Sequence, residues 1–433
     1  MFTRHKSLSR LLLFPLICIL VSFTLGFSPT NLNHNKFVLT SEPNLPAYPP
    51  LAWYALSNKG LNGYVYALAA SGDDLYVGGD FSATGDGTTK TSLGNIARYD
   101  IKDGTWHTLP NKGLNKPVRS LAVSGPDLYV GGEFDKTGDG TTWTNLGNIV
   151  RYNADDDSWY PLPESGLNGM VMALAVSGDD LFVGGSFSST GGTSPTYLSN
   201  IARYDTSSPG WHALPAGSSQ GLNGSVFTLE VKGKDLYVGG AFTQTGGGSP
   251  TNLGHIARYD TATSTWYPLA NGGLNGSVRS FALYNGDLFV GGSFLQTKDT
   301  TVPNLGRIAR YKIKDESWEG LPNDGLNNTV YSLAASGDDL YVGGSFNNLG
   351  DSSQTDANHI ARFQTKSNTW HALTEKGVTH FVYALEETGE NLFAGGSFVA
   401  TTGTKFAHLL NYIGRVSLDV PKYHDYLPLV FSR

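Results

Sequence analysis

Two sequence markers repeat at one interval along most of this chain, and this repetition constrains the fold more than any other feature. Tryptophan recurs every 52 to 55 residues. The repeating tryptophans are Trp53, Trp106, Trp159, Trp211, Trp266, Trp318 and Trp370. A Gly-Gly-x-Phe motif follows the same interval, ending at Phe81, Phe134, Phe187, Phe242, Phe294, Phe346 and Phe398. Two independent markers with one period indicate seven copies of one structural unit.

Each copy contains four short apolar runs separated by turn-forming residues. In the first complete copy the runs are Tyr64–Ala70, Leu75–Val77, Asn95–Tyr99 and Trp106–Leu109. Runs of this length, rich in Val, Tyr, Ile, Leu or Trp and bounded by Gly, Asp or Asn, are typical of β-strands joined by turns. Four such strands, repeated with a period near 50 residues, predict an all-β fold: a seven-bladed β-propeller with four-stranded blades.

The two ends of the repeat array complement each other. The array begins with a lone fourth-strand segment, Trp53–Leu56, and the last copy has three strands but no tryptophan. The pattern places those three strands at Phe381–Leu385, Asn391–Phe398 and His408–Tyr412. We therefore expect the N-terminal strand to join the last blade, which closes the ring and leaves no long strand edge open.

The repeat unit resembles a known family. Leu75 to Gly79, followed by Tyr99, Asp100 and Trp106, resembles a kelch-type repeat, and the resemblance covers about residues 53–412. The Phe after the glycines and the Asn-Ile-Ala-Arg before the tyrosine are more similar to repeats of fungal cell-surface cortical-marker proteins and related exported bacterial proteins. The resemblance implies a seven-bladed propeller, but a shared propeller fold does not by itself assign a function.

Positions that hold one residue type in almost every copy are interpreted as scaffold. An arginine recurs on the third strand, and we expect each to pair with a carboxylate or carbonyl at a blade interface. The series is Arg98, Arg151, Arg203, Arg258, Arg310 and Arg362, with Asn411 at that position in the last copy. The Asp pairs between the first and second strands favour turn chemistry over calcium, because no Asp-x-Asp-x-Asp-Gly loop occurs.

One position near the start of the first strand varies strongly and is the main candidate for ligand binding. It follows a valine that is present in all seven copies. The variable residues are Tyr66, Arg119, Met172, Phe227, Arg279, Tyr331 and Tyr383. If the first strand is innermost, these side chains lie at the mouth of the central channel. Aromatic and arginine side chains are typical of recognition surfaces, although loose packing between first strands remains an alternative.

The loops between second and third strands supply a second candidate surface. They share a face with the loops that enter the first strand, and they carry the aromatic residues Trp143 and Tyr197. Exposed aromatic side chains stack on sugars or anchor protein partners. The alternative is that Trp143 simply covers a blade edge.

The sequence contains no catalytic constellation and predicts neither a metal site nor a cofactor. A copper oxidase of the galactose-oxidase type needs a cysteine-modified tyrosine, whereas the one cysteine, Cys18, lies in the N-terminal segment. His255, His359 and His408 are assigned to one repeat position on separate blades, too far apart to share an ion. A propeller enzyme acting on carbohydrate, of oxidase or glycosidase/lyase type, is kept as an alternative, as is a purely structural envelope protein.

The remaining expectations concern the termini, charge and location. Arg4, Lys6 and Arg10 precede an apolar run, which predicts a signal peptide at 1–27. A linker at 28–52, the propeller at 53–418 and a C-terminal tail at 419–433 follow. The net charge of -7 lacks the basic footprint of a nucleic-acid binder. We expect a monomeric, non-enzymatic binding or scaffold module, secreted or at the cell surface, that recognises a protein or a glycan and contacts a membrane only through an uncleaved signal segment.

Overall fold

The computed structural model describes residues 52–86, 91–216, 219–248, 250–353, 356–403 and 407–418. Within these ranges the chain forms seven four-stranded antiparallel sheets. In each of the first six blades the strands pair in chain order from the innermost strand outward, and each innermost strand contacts those of both neighbouring blades. The predicted seven-bladed β-propeller with four-stranded blades is therefore confirmed.

The strand bounds repeat from blade to blade. The innermost strands are Tyr64–Ser71, Val118–Ser124, Met170–Ser177, Val226–Lys232, Val278–Tyr284, Val330–Ser336 and Val382–Glu387. The second strands are Asp74–Asp80, Asp127–Gly132, Asp180–Ser186, Asp235–Gly240, Asp287–Gly292, Asp339–Gly344 and Asn391–Gly396. The third strands are Ile96–Asp100, Ile149–Asn153, Ile201–Asp205, Ile256–Asp260, Ile308–Lys312, Ile360–Gln364 and Ile413–Ser417. The outer strands of blades 1 to 6 are Thr105–Thr108, Ser158–Pro161, Gly210–Ala213, Thr265–Pro268, Ser317–Gly320 and Thr369–Ala372, and that of blade 7 is Trp53–Ala55.

Short elements outside the blades complete the described secondary structure. Single turns of 3-10 helix are Ser57–Lys59, Pro110–Lys112, Pro163–Ser165, Ala270–Gly272 and Thr374–Lys376. A two-residue ladder pairs Pro215–Ala216 with Ser219–Gln220 before blade 4. In the described part of the chain, no helix is long and apolar enough to cross a membrane.

Five of the seven repeated tryptophans donate an indole hydrogen bond to the neighbouring blade. Trp159 is 3% exposed, and its indole N–H donates a 2.9 Å hydrogen bond to the carbonyl of Pro110, which follows the outer strand of the preceding blade. Trp106 bonds in the same way to Ser57. Its ring also packs 4.9 Å from the ring of Tyr99, centroid to centroid. A buried indole with its N–H satisfied contributes area without leaving an unpaired donor.

The double glycine allows the blades to approach closely. A Cβ added to Gly78 would lie 2.4 Å from Cγ1 of Val118, on the innermost strand of the next blade. The first glycine of each pair meets the valine of the next blade in this way all round the ring, and Gly395 of blade 7 meets Val65 of blade 1. Only a residue without a Cβ fits this contact. The uniform glycines and valines of the sequence are thus two halves of one interface.

The ring closes as the sequence predicts. Trp53–Ala55 pairs antiparallel with the third strand of the last blade, in a register that places Trp53 opposite Val416 and Tyr54 opposite Arg415. The N-terminal and C-terminal ends of the repeat array therefore share one sheet, and this sheet packs between blades 6 and 1.

The third strand of blade 7 differs from the sequence-based assignment. It runs over Ile413–Ser417 and not over His408–Tyr412. Asn411 and Tyr412 have positive φ angles of 47° and 71°, which belong to the turn before the strand and not to a β-strand. The apolar run before Tyr412 imitates the strand pattern, but the strand begins only after that turn.

This shift of register corrects two further assignments. Arg415, not Asn411, occupies the repeated arginine position, and its guanidinium carbon lies 5.3 Å from the ring centre of Tyr54. Tyr412, not His408, precedes the third strand as His255 and His359 do. His408 instead lies 3.0 Å from the carboxylate of Glu375. The predicted signal peptide, nearly all of the linker and the C-terminal tail lie outside the described residues and remain predictions.

Candidate functional site

The repeated arginines of blades 1 to 6 form ion pairs within their own blades. Arg151 contacts Asp127 at 3.1 Å and Arg203 contacts Asp180 at 2.7 Å. The same pair, between the third strand and the first residue of the second, joins Arg98 to Asp74, Arg258 to Asp235, Arg310 to Asp287 and Arg362 to Asp339. The structural interpretation of these arginines therefore holds, although the partner is in the same blade and not across an interface.

The variable position of the first strand is a β-bulge in every blade. In blade 1 the pairing register shifts between Val65 and Ala67, so that Tyr66 has no partner on the second strand. The same shift skips the variable residue in each of the other six blades. A bulge re-aims the side chain of the extra residue. The invariant valine before the bulge packs between blades, and the bulged residue is free to vary.

The seven bulged residues meet around one cavity on the propeller axis. This cavity has a volume of about 610 Å³. Its lining comprises Tyr66, Arg119, Met170, Met172, Phe227, Arg279, Tyr331 and Tyr383. All seven residues predicted at the channel mouth are thus brought together, and Met170 joins them.

Tyrosine rings form a continuous arc along one side of the cavity. The ring centroids of Tyr66 and Tyr383 are 5.6 Å apart, and those of Tyr383 and Tyr331 are 5.5 Å apart. Burial raises the pKa of the Tyr66 phenol, and the neighbouring Arg119 only partly offsets this shift. The phenol is therefore neutral at physiological pH and offers a hydroxyl donor beside its aromatic face.

Further aromatic residues continue the arc beyond the cavity lining. Tyr64 packs 6.2 Å from Tyr66, and Phe381 packs 6.3 Å from Tyr383. Tyr64 is 44% exposed and Phe381 is 38% exposed. Both occupy the position two residues before the bulge, which also varies between copies. The sequence motifs did not predict Tyr64 and Phe381, although the variability at their position was a usable signal. Met170 occupies the same position in blade 3.

A neutral histidine, His359, packs against Phe381 at the end of the aromatic arc. The ring of His359 is buried and packs 5.4 Å from Phe381, nearly edge to face. Burial, assisted by the nearby His380, lowers the pKa of His359 to about 4. The aromatic arc therefore gains no positive charge from His359 at neutral pH, and arginine supplies the cations of the cavity lining.

The loop aromatics do not join the cavity. Trp143 is 39% exposed and Tyr197 is 70% exposed, and neither lines the axial cavity. Tyr197 forms an isolated antiparallel bridge with Ser189, within the loop that joins the second and third strands of blade 3. The channel mouth and the loops that carry Trp143 and Tyr197, the two binding surfaces predicted from the sequence, are therefore separate sites.

The part of the chain that the structure describes contains no group of three or more His, Cys, Asp or Glu side chains suited to hold a metal ion. His107 and His371 lie on outer strands, opposite Arg98 and Arg362 of the third strands. Among the described residues the axial cavity is lined by aromatic, methionine and arginine side chains, without a carboxylate or histidine in its lining.

The fold and the axial site define the class of this protein as a seven-bladed propeller with a chemically varied channel mouth. Solved structures support the fold. The computationally designed Ika8 protein superposes with a TM-score of 0.51 at 14% identity, covering 84% of this chain and 98% of that one. The extracellular domain of a putative one-component system, BT4673 of B. thetaiotaomicron, gives a TM-score of 0.52 at 14% identity over 84% of this chain and 40% of that one.

Sequence comparison identifies a more specific similarity. Residues 219–339 match the family described as the Rax2 C-terminal beta propeller domain. Polarized growth protein L1 of a Phoma species is 30% identical over 190 residues, which are 41% of this chain and 14% of that protein. Polarized growth protein rax2 of Schizosaccharomyces pombe is 29% identical over 213 residues, or 48% of this chain and 17% of that protein. The predicted resemblance to fungal cortical-marker proteins is confirmed, and each match spans less than a fifth of the fungal protein.

Proposed function

We propose that this propeller is a non-enzymatic binding module, secreted or at the cell surface, and that its ligand, a glycan or a protein segment, enters the axial cavity. One observation carries the proposal. The seven bulged residues line one cavity and comprise three tyrosines, two arginines, a methionine and a phenylalanine, whereas the glycines and valines that hold the blades together do not vary. A scaffold of seven like blades requires no such asymmetry, while recognition of an asymmetric ligand does.

The character of the lining supports binding over catalysis. Four aromatic rings and two guanidinium groups provide stacking surface and fixed donors, the residue types enriched at binding hot spots. General acid–base catalysis works best with a group whose pKa lies near the operating pH, and burial moves the pKa of the Tyr66 phenol further above that range. The fungal relatives are named for polarized growth, a role that fits recognition of a partner at the cell surface.

The test is a binding screen of the purified chain against a glycan array and against proteins of a cell-envelope extract. We expect a saturable ligand whose affinity falls about tenfold in Tyr383→Ala, because roughly 1.4 kcal/mol of ring stacking is lost. Trp143→Ala is the matched control, since its ring is exposed outside the cavity, and it should bind as the parent does.

The opposite effect of the two substitutions would place the binding site elsewhere. If Trp143→Ala loses binding and Tyr383→Ala retains it, the ligand sits on the loops and not in the cavity. A folded chain that binds nothing in either screen would support the structural alternative instead.

A further inference from the structure

The two arginines of the cavity differ in their partners. Arg119 is held by Glu133, with its Nε and Nη2 atoms 2.8 and 2.6 Å from one carboxylate oxygen. Its guanidinium carbon also lies 4.0 Å from the ring centre of Tyr66. The charge of Arg119 is therefore balanced within the protein, and its donors are directed at a protein carboxylate.

Arg279 is a cation without such a counter-ion. It is exposed, and its guanidinium carbon lies 4.6 Å from the ring centre of Phe227 and 5.7 Å from that of Tyr331. Among the residues that the structure describes, it forms no ion pair with a carboxylate. Two aromatic rings thus hold a guanidinium group beside the cavity with its donors available, a geometry that stabilises a cation without neutralising it.

The acidic residues of the mouth lie on other blades. Glu133 occupies the third position of the Gly-Gly-x-Phe motif in blade 2, and Asp80 occupies it in blade 1. The same position is Ala241 in blade 4, Ser293 in blade 5 and Ser345 in blade 6. At this repeat position the blades around Arg279 therefore carry no acid that would repel an anion, which favours a negatively charged ligand group there.

The aromatic arc leads from Tyr66 through Tyr383 and Tyr331 to Arg279. Successive ring centroids are 5.6 and 5.5 Å apart, and Tyr331 then lies 5.7 Å from the guanidinium carbon. An occupant of this cavity meets stacking surface along its length and one unpaired cation at the end. The matching ligand has flat apolar faces, hydroxyl groups and an anionic group.

The inner strand edges favour a compact ring-shaped ligand over a peptide. An extended peptide binds best by pairing with a free strand edge. Here neighbouring blades already occupy edge N–H groups of the innermost strands: Leu333 donates to the Ser280 hydroxyl, Leu385 to Ser332, and Ala70 to the Glu386 carboxylate. The cavity itself has a volume of about 610 Å³, which is in the range of small-molecule binding sites.

Resting on the proposed function, we infer that the axial cavity binds an acidic saccharide. Its carboxylate contacts the guanidinium of Arg279, and its sugar rings stack on Tyr331, Tyr383 and Tyr66. A carboxylate–guanidinium contact provides two parallel charge-assisted hydrogen bonds, which fixes the orientation of the bound sugar.

The test compares acidic and neutral saccharides by titration calorimetry of the full chain. The probes are trigalacturonate with its trimethyl ester, and 3′-sialyllactose with lactose. We expect one acidic probe to bind at least about tenfold more tightly than its neutral counterpart, with the preference falling as salt is raised. Arg279→Gln should abolish the preference while residual binding to the arc persists. Lys298→Gln, which removes an exposed loop cation of the same blade, should retain it.

Each other result overturns the inference in a distinguishable way. Equal binding of acidic and neutral probes refutes the role of Arg279 but leaves the proposed binding function in place. Binding of an acetylated glutamate-rich hexapeptide, with no binding of any saccharide, replaces the sugar by a peptide. Failure of every probe and of the wider screen, by protein shown to be folded, refutes the proposed function as well.

Discussion

At the scale of single residues, two glutamates depart from the repeat on the innermost strands. Five blades have alanine at this position, whereas blade 4 has Glu230 and blade 7 has Glu386. Burial raises the pKa of each carboxyl to about 7, and the backbone N–H of Ala70 partly offsets the shift at Glu386. These carboxyl groups therefore take up protons near neutral pH, far above the usual range of glutamate.

This shift predicts the pH dependence of a Glu230→Gln variant. Between pH 5 and 7 the folded state keeps a proton that the unfolded state has released. Burying the Glu230 carboxyl therefore costs the folded protein little at low pH, and the free energy of unfolding decreases as the pH rises toward about 7. We expect Glu230→Gln to be more stable than the parent at pH 8, by roughly 1–3 kcal/mol, with the gain shrinking toward pH 5.

Urea unfolding of both proteins at pH 5, 6.5 and 8 measures this difference. The pH 5 comparison serves as the control, because the glutamate is then protonated in the folded protein and closely resembles glutamine. A stability difference that is the same at all three pH values would contradict the prediction.

At the scale of elements, the blades are joined where a glycine of one meets a valine of the next. Gly184 on the second strand of blade 3 faces Val226 on the innermost strand of blade 4. Gly184 and Val226 both belong to strands that are hydrogen-bonded to a neighbouring strand of their own blade. The backbone at this contact therefore has little freedom to move away. The distance between adjacent sheets therefore depends on the absence of a side chain.

Gly184→Ala tests this close approach. The added Cβ would lie 2.4 Å from Cγ1 of Val226, and we expect overpacking to lower the free energy of unfolding by about 1–3 kcal/mol. Gly210→Ala in the same blade is the matched control, because its Cβ would have no neighbour closer than 3.6 Å. Urea denaturation distinguishes the two, and equal stability of the two variants would show that the blades move apart at little cost.

At the scale of the whole molecule, one short strand closes the ring. Trp53 begins that strand, is 1% exposed, and packs 6.5 Å from Phe398 of the same blade, centroid to centroid. The last blade draws its other three strands from the opposite end of the repeat array. Its core therefore couples the two ends of the propeller, and the strand covers the edge of Ile413–Ser417.

Trp53→Ala should weaken this closure more than an ordinary surface change. We expect a loss of about 3–5 kcal/mol in the free energy of unfolding, as for other buried tryptophans replaced by alanine. Trp143→Ala, at an exposed loop, should leave stability unchanged to within about 0.5 kcal/mol. Denaturant unfolding followed by tryptophan fluorescence provides the measurement, and a Trp53→Ala protein as stable as Trp143→Ala would contradict the role of the strand.

Local features of the chain were predictable from its sequence, and contacts between distant residues were less so. The blade strands, their turns and the scaffold glycines were predictable, because each repeats the same pattern seven times. The third strand of blade 7 was misplaced because Asn411 and Tyr412 adopt positive φ, and their apolar neighbours imitate a strand. Tyr64 and Phe381 were missed because they stand outside the one position that was compared between copies.

The sequence by itself determined the number of blades, the four strands of each blade and the joining of the two ends, since strand periodicity and repeat length are properties of the chain. The set of residues at the channel mouth also followed from it. Only the tertiary structure decided which of these channel-mouth residues contact one another. Tyr66 and Tyr383 come from opposite ends of the array and pack together because the ring closes. Glu133 pairs with Arg119 while Arg279 keeps its charge available, because each guanidinium meets a different set of neighbours around the axis.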